Sequence, residues 1–286
     1  HNVVLDTFAE ASSVLNYDLW KLVQEGTQDE INLTERTQPL LLTSSVAIWR
    51  LWEEMQGPVP AQLAGHSLGE WSALVCAGVL RFADAVSIVK ARGSYMQDAV
   101  PVGVGAMSAI IGLDDEAIGT ACTEAQRFGV VAAVNYNAPG QVVIAGEVKA
   151  VEQAMSLCKA AGAKRTLPLP VSAPFHTSLM RPAAERLTAL VESTVFSSPV
   201  IPVIHNVNGQ VQADTKIIKS LMIEQIYSPV RWVDCVLTLR DRGAEHLIEC
   251  GPGRVLNGLS KRIDRELRSF ATDDIGSLEN ALASIK

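Results

Sequence analysis

Residues 62–78 run QLAGHSLGEWSALVCAG, a short apolar stretch, then a Gly-x-Ser-x-Gly pentapeptide, then a segment with helical spacing. When a strand turns sharply into a helix through a glycine-flanked serine, the serine hydroxyl stands clear at the helix N-terminus. We therefore predict a strand, a tight turn and a helix, with Ser67 as a candidate nucleophile. The backbone N–H of Leu68 would face a developing oxyanion. A plain glycine-rich turn is the alternative interpretation.

The segments on either side alternate between helical and strand-like spacing. Upstream, apolar side chains recur at helical intervals in two segments, one marked by Val4, Phe8, Ala11 and Leu15, the other opening at Thr37 and Pro39 and continuing through Val46, Trp49 and Trp52. Downstream, helical spacing returns in residues 182–195, and apolar strands are predicted at 200–207 and 246–250. Gly251-Pro252-Gly253 lacks the pattern of a phosphate loop and is predicted to be a strand-to-helix turn. Strands that alternate with helices predict a parallel sheet.

Between these segments the pattern changes to βαββαβ. Its strand-like runs are GAMSAIIG (105–112), VVAAVNYN (130–137), QVVIAG (141–146) and KRTLPLP (164–170), with helical segments at 114–126 and 149–161. Four strands with two helices on one face form a ferredoxin-like unit. We therefore predict an α/β domain built from residues 1–101 and 173–286, with a ferredoxin-like α+β domain inserted at 102–172.

Composition excludes several classes of protein. With 48% hydrophobic and 19% charged residues in 286, the chain has the composition of a globular protein with a sizeable core. The net charge is −7 and no stretch concentrates Lys and Arg, so nucleic-acid binding is not expected. The longest uncharged run, 128–146, is broken by polar residues and proline, so no membrane span is predicted. Five cysteines without a CxxC pair predict reduced thiols, no metal site and a cytoplasmic protein.

A serine nucleophile needs a base, and the sequence offers few histidines. His1 is terminal, while His205 and His246 lie in or beside apolar strands, where a structural role is the better interpretation. His66 adjoins the nucleophile, so its side chain leaves the turn in another direction, which suits a contact with substrate. His176 follows a proline-stiffened loop between the two predicted domains, where clefts form. We predict His176 as the base.

No acidic residue between Ser67 and His176 completes a triad convincingly. Asp84, Asp114 and Asp115 have the positions of helix-start residues, which bind free N–H groups. If a backbone carbonyl orients the imidazole instead, the apparatus is a dyad.

Arg92 lies on the apolar stripe of a predicted helix, whose other members are Ala85, Ile88, Val89 and Met96. A guanidinium that points inward must meet an anion. Beside a serine nucleophile it suggests an acyl group that ends in a carboxylate; an internal salt bridge or a snorkelling stem is the alternative. Asn135, Asn137 and Gln141 bracket a turn and either contact substrate or cap that turn.

Together these motifs resemble the malonyl-CoA:acyl carrier protein transacylases of bacterial fatty acid synthesis. The similarity covers essentially the whole chain, through GHSLGEWSALVCAG, KARGSYMQ, GAMSAIIGL, VNYNAPGQVVIAG, KRTLPLPVSAPFH, IYSPVRW and ECGPGRVL. It implies a hydrolase-like α/β fold with an inserted ferredoxin-like domain. It also implies Ser67 as nucleophile, His176 as base and Arg92 as the ligand of the malonyl carboxylate.

The resemblance assigns further positions. Gln225 matches the residue whose backbone carbonyl orients the histidine, Leu68 supplies an oxyanion N–H, and His66 matches the histidine beside the nucleophile. Asn137, from its position beside the turn, is also predicted to contact substrate. Malonyl-CoA and acyl carrier protein are the implied partners, the CoA thioester is a substrate, and no cofactor or metal is implied. Because carrier proteins are acidic, the candidate docking charges are Lys159, Lys164, Arg165 and Arg181.

One departure concerns the start of the chain. Members of the family begin with a strand that ends in Phe-Pro-Gly-Gln-Gly, whose glutamine supplies a second oxyanion N–H, and no such segment occurs here. We expect that strand and that donor to be absent, which removes ~10²-fold or more in rate.

Two other classes of function share parts of this pattern. A serine esterase or thioesterase would use the same turn but would not need Arg92. A catalytically silent module that binds carrier protein would tolerate Ser67→Ala without loss of function.

Overall fold

The computed structural model describes residues 1–171 and 173–285. Ser172, where the predicted inserted domain ends, and Lys286, the last residue of the predicted catalytic domain, lie outside the described residues. The helices are α1 (Asn2–Leu15), α2 (Leu19–Glu25), α3 (Gln28–Ile31), α4 (Thr34–Glu54), α5 (Leu68–Cys76), α6 (Phe82–Asp98), α7 (Asp115–Ala125), α8 (Val148–Ala160), α9 (Arg181–Ser193), α10 (Thr215–Glu224), α11 (Trp232–Asp241), α12 (Val255–Ile263) and α13 (Ile275–Ile285). The strands are β1 (Leu63–Ala64), β2 (Gly105–Ile111), β3 (Val131–Ala138), β4 (Gln141–Glu147), β5 (Arg165–Pro168), β6 (Val203–Ile204), β7 (His246–Glu249) and β8 (Arg268–Ala271).

Short parallel strand pairs carry the α/β part of the chain. Leu63 of β1 lies opposite Val203 of β6, and β7 pairs with β8 in the same parallel sense. Helices α1, α4, α5, α6 and α9 pack their apolar faces together in the largest core, which includes Trp71 and Ile88. This arrangement confirms the predicted α/β class and places the start of α5 at the end of β1.

A four-stranded antiparallel sheet forms the second layer, in the order β3-β4-β2-β5. Side chains alternate along β4 as a period of two requires. Val142 and Ile144 join the core with helices α7 and α8, whereas Val143 and Ala145 face the other way, in a cluster that includes Phe175. The predicted ferredoxin-like order is confirmed, and the second face of this sheet supports the residue before His176. The boundary at 102–172 stays a prediction.

Two predicted elements differ from the structure. The expected strand at 200–207 pairs only at Val203–Ile204, because Pro202 has no N–H and the chain reverses within 205–210. Helix α4 begins at Thr34, so Pro39 lies inside it rather than at its opening. The carbonyl that loses its helical partner there belongs to Glu35, an exposed residue.

Across the described residues, every helix is too short or too polar to cross a membrane.

Candidate active site

The turn at Ser67 is a strained junction between β1 and α5. Ser67 has φ 51° and ψ −105°, a conformation that side chains other than glycine rarely adopt. A Cβ on Gly65 would collide with the backbone of Gly69 and Glu70, whereas a Cβ on Gly69 would meet open space. Close approach therefore requires only the first glycine of the pentapeptide, although the sequence pattern suggested both.

A buried asparagine holds this turn in place through two hydrogen bonds to its backbone. Asn206 accepts a hydrogen bond from the Ser67 N–H at 2.7 Å and donates to the carbonyl of Gly65 at 2.7 Å. Asn206 is fully buried and follows strand β6, the neighbour of β1. The parallel pair thus brings the amide to the turn and fixes the backbone on both sides of His66.

His176 lies in position to take a proton from Ser67. Its Nε2 is 2.8 Å from the Ser67 Oγ, and its Nδ1 is 2.8 Å from the backbone carbonyl of Gln225. Because a carbonyl only accepts, Nδ1 carries the proton and Nε2 is free to accept one. Burial, together with the nearby positive charge of Arg92, lowers the pKa of His176 to about 3, so the ring is neutral near pH 7.

Arg92 reaches the same hydroxyl from helix α6. Its Nη2 donates to the Ser67 Oγ at 3.1 Å and to the Gln225 Oε1 at 3.1 Å, and its Nη1 donates to the Gln38 Oε1 at 2.8 Å. Arg92 is 2% exposed, and burial lowers its pKa to about 10. Arg92 is therefore cationic near pH 7, and because every acceptor that the described residues offer it is uncharged, it has no carboxylate partner among them.

Buried polar groups lie behind these residues. Glu70 accepts from the Gln225 Nε2 at 2.6 Å and contacts the His205 Nδ1 at 2.7 Å. We did not predict Glu70, Asn206 or Gln38 from the sequence. The available signal for Glu70 was a single charged residue in an otherwise uncharged helix, LGEWSALVC.

The two remaining predicted substrate contacts, His66 and Asn137, lie in hydrogen-bond contact with each other. The His66 Nε2 is 2.8 Å from the Asn137 Oδ1 at the end of β3, and the rings of His66 and Trp232 are 5.7 Å apart. Burial lowers the pKa of His66, so this ring is neutral as well.

Leu68 is the first residue of α5, where N–H groups have no intrahelical acceptor. The roles predicted for His66, Asn137 and Leu68 stay predictions.

Other predicted candidates are engaged elsewhere. Asn135 is buried and bridges to Val230 through its backbone, and Gln141 contacts Arg262. Asp114 caps helix α7 as expected, and Asp84 pairs with Arg81 at the start of α6. Within residues 1–171 and 173–285, no group of three or more His, Cys, Asp or Glu side chains is placed to hold a metal ion.

Comparisons with known proteins agree with this geometry. The family described as "Acyl transferase domain" matches residues 6–272. The "Malonyl CoA-acyl carrier protein transacylase" of Salmonella typhimurium is 54% identical over 98% of this chain and 91% of that protein, and its Bacillus subtilis namesake is 45% identical over 98% and 88%.

Solved structures of malonyltransferases are also similar to this chain. An acyl carrier protein S-malonyltransferase from Vibrio cholerae is 56% identical with a TM-score of 0.96, covering 98% of this chain and 92% of that one. A malonyl-transacylase solved in complex with a type II PKS acyl-carrier protein is 52% identical with a TM-score of 0.98, covering 99% and 92%.

Proposed function

Because the chain belongs to the acyl transferase domain family, we propose that it transfers a malonyl group from malonyl-CoA to an acyl carrier protein through an ester on Ser67. The observation that carries this proposal is the position of Arg92, a buried cation without a carboxylate partner among the described residues, 3.1 Å from the Ser67 Oγ. An acyl group whose far end is a carboxylate would meet a bidentate donor there.

The first half of the reaction forms the ester. His176 Nε2 takes the Ser67 proton as Oγ attacks the thioester carbonyl, and backbone donors that include the Leu68 N–H stabilise the oxyanion. The carbon–sulfur bond then breaks, and the leaving CoA sulfur receives the proton from His176. The 2.8 Å contacts on both ring nitrogens of His176 support this sequence of proton transfers.

The second half reverses the roles. The phosphopantetheine thiol of the carrier protein gives its proton to His176, and its sulfur attacks the malonyl-serine ester. The carbon–oxygen bond breaks and Ser67 recovers the proton. The reaction is therefore ping-pong, and both acyl donor and acceptor react at the same serine.

These steps use side chains and backbone donors alone, so we propose that the enzyme needs no cofactor and that CoA takes part only as a substrate. We also propose a cytoplasmic location, supported by five cysteines that are all unpaired thiols.

Intact-protein mass spectrometry after mixing with malonyl-CoA tests the proposal. We expect one malonyl adduct on the wild-type protein and none on Ser67→Ala. With acetyl-CoA the adduct should be weak, and Arg92→Ala should lose most of the preference for malonyl. Equal labelling by both thioesters would favour an esterase or thioesterase, which has no use for Arg92. No adduct on folded protein would contradict the proposed function.

A further inference from the structure

Glu70 has no role in the steps above, although it lies directly beneath the reacting groups. Its carboxylate is fully buried, which is costly for a charge without partners. It binds the Gln225 Nε2 at 2.6 Å, the His205 Nδ1 at 2.7 Å and the Asn206 backbone N–H at 3.2 Å. These donors come from two segments that are more than a hundred residues away in sequence.

Glu70 provides the shortest of the hydrogen bonds that orient the Gln225 amide. A guanidinium can only donate hydrogen bonds, and an ionised carboxylate can only accept them. The amide lies between the two, so its Oε1 must face Arg92, at 3.1 Å, and its Nε2 must face Glu70. The Ser67 carbonyl also accepts from this Nε2, at 2.9 Å, so loss of the carboxylate would remove the shorter of the two hydrogen bonds that hold the amide in this orientation.

Glu70 also compensates the charge of Arg92 from a distance. Its negative charge raises the pKa of Arg92, against the effect of burial. Because the Gln225 amide separates the two charges, the guanidinium is stabilised without a direct salt bridge that would occupy its donors. Gln38 completes the arrangement from the opposite side with a second neutral acceptor, at 2.8 Å.

We propose that Glu70 is a positioning residue for acyl-group selection: through the Gln225 amide it holds Arg92 in place, cationic and free to bind a substrate carboxylate. This inference rests on the proposed function, since it assigns Glu70 to the selection of malonyl over uncharged acyl groups. Glu70 itself touches neither Arg92 nor the substrate.

The test compares acylation by malonyl-CoA and by acetyl-CoA in Glu70→Gln, which keeps the size of the side chain and removes its charge. We expect the ratio of the two kcat/KM values to fall about tenfold, the range of one charge-assisted hydrogen bond. A residue that only supports the fold would slow both substrates equally and leave this ratio unchanged. An unchanged ratio in folded Glu70→Gln overturns the proposal.

A double-mutant cycle assigns the effect to Arg92. In an Arg92→Ala background, Glu70→Gln should not change the ratio further; a second tenfold change there would contradict the proposed route. If Glu70→Gln does not fold, Glu70→Asp takes its place, since it keeps the charge but shortens the side chain by one methylene. The ratio of the two kcat/KM values should again fall, and an unchanged ratio overturns the proposal. Absence of a malonyl adduct on wild-type protein would instead refute the proposed function itself, so the two failures are distinguishable.

Discussion

The four-stranded sheet is held by backbone ladders between strands of four to eight residues, whereas the pocket around Ser67 rests on strands of two residues and on side-chain hydrogen bonds. In the sheet, β3 and β4 are joined by a tight turn at Pro139-Gly140 and pair along most of their length. In the pocket, Ser67 meets His176 and Gln225, which lie 109 and 158 residues further along the chain.

This difference separates two tasks. The sheet obtains stability from regular, local pairing and from an apolar core with helices α7 and α8. The pocket gives up some stability, because it holds a strained serine, a guanidinium without a carboxylate partner among the described residues, and a buried carboxylate. A substitution in one region should therefore change a property that substitutions in the other leave alone.

The largest effect is expected from the base. His176→Gln should slow acylation by malonyl-CoA about 10³-fold, because Ser67 then has no group to take its proton. The unfolding temperature should change little, since the hydrogen bond to Gln225 can be kept. His246→Gln, which alters a histidine in β7, is the matched control and should react at the wild-type rate. A His176→Gln rate within tenfold of wild type would break the comparison.

The sheet should respond in the opposite way. Ile144 is fully buried against helices α7 and α8, so Ile144→Ala should lower the free energy of unfolding by about 3 kcal/mol. Ile144→Val should cost about 1 kcal/mol. Denaturant unfolding measures both, and kcat/KM of the folded fraction should stay at the wild-type value. A loss of kcat without loss of stability would show that the sheet takes part in the chemistry.

Acid should lower the free energy of unfolding through His176. The pKa of His176 is about 3 in the folded chain, below the ordinary value near 6.5, so between these values only the unfolded chain takes up this proton. His176 thus contributes stability above pH 6.5 that is lost as the pH falls toward the folded pKa, by at most ~1.4 kcal/mol per unit.

Comparison with His176→Gln isolates that contribution. As the pH is lowered from 6.5 to 4, the unfolding free energy of the wild type should fall steadily relative to that of His176→Gln, while wild-type acylation shows no titration near 6.5. The same pH dependence in both proteins would mean that the pKa of His176 in the folded state is close to the ordinary histidine value, and would contradict this prediction.

The smallest effect is expected on the surface. Lys164→Glu with Arg165→Glu reverses two exposed charges at the start of β5 and should raise KM for an acidic carrier protein about three- to tenfold. Lys149→Glu, an exposed charge on α8, is the control. Transfer assays at low and high salt would show the difference shrinking as salt increases. An unchanged KM would remove these charges from the docking surface.

The same contrast explains what could be predicted. The strand GAMSAIIG was expected at 105–112 and is found at Gly105–Ile111, because alternation and turn residues are local signals. Ser67 and Arg92 could also be selected as candidates from the sequence, Ser67 from a motif and Arg92 as a charged residue on an apolar stripe. Glu70, Gln38 and Asn206 were not, since their roles arise from partners 155, 54 and 139 residues away.

The separation between Glu70 and its partners has a consequence for biosynthesis. Residues 67–92 leave the ribosome long before Gln225, so during most of translation the Glu70 carboxylate and the Arg92 guanidinium lack the amide that lies between them. The amide that lets both charges be buried arrives late, and closing this long loop is slow. The nascent chain therefore acquires an oriented Ser67–His176 pair only after Gln225 has been synthesised, late in translation.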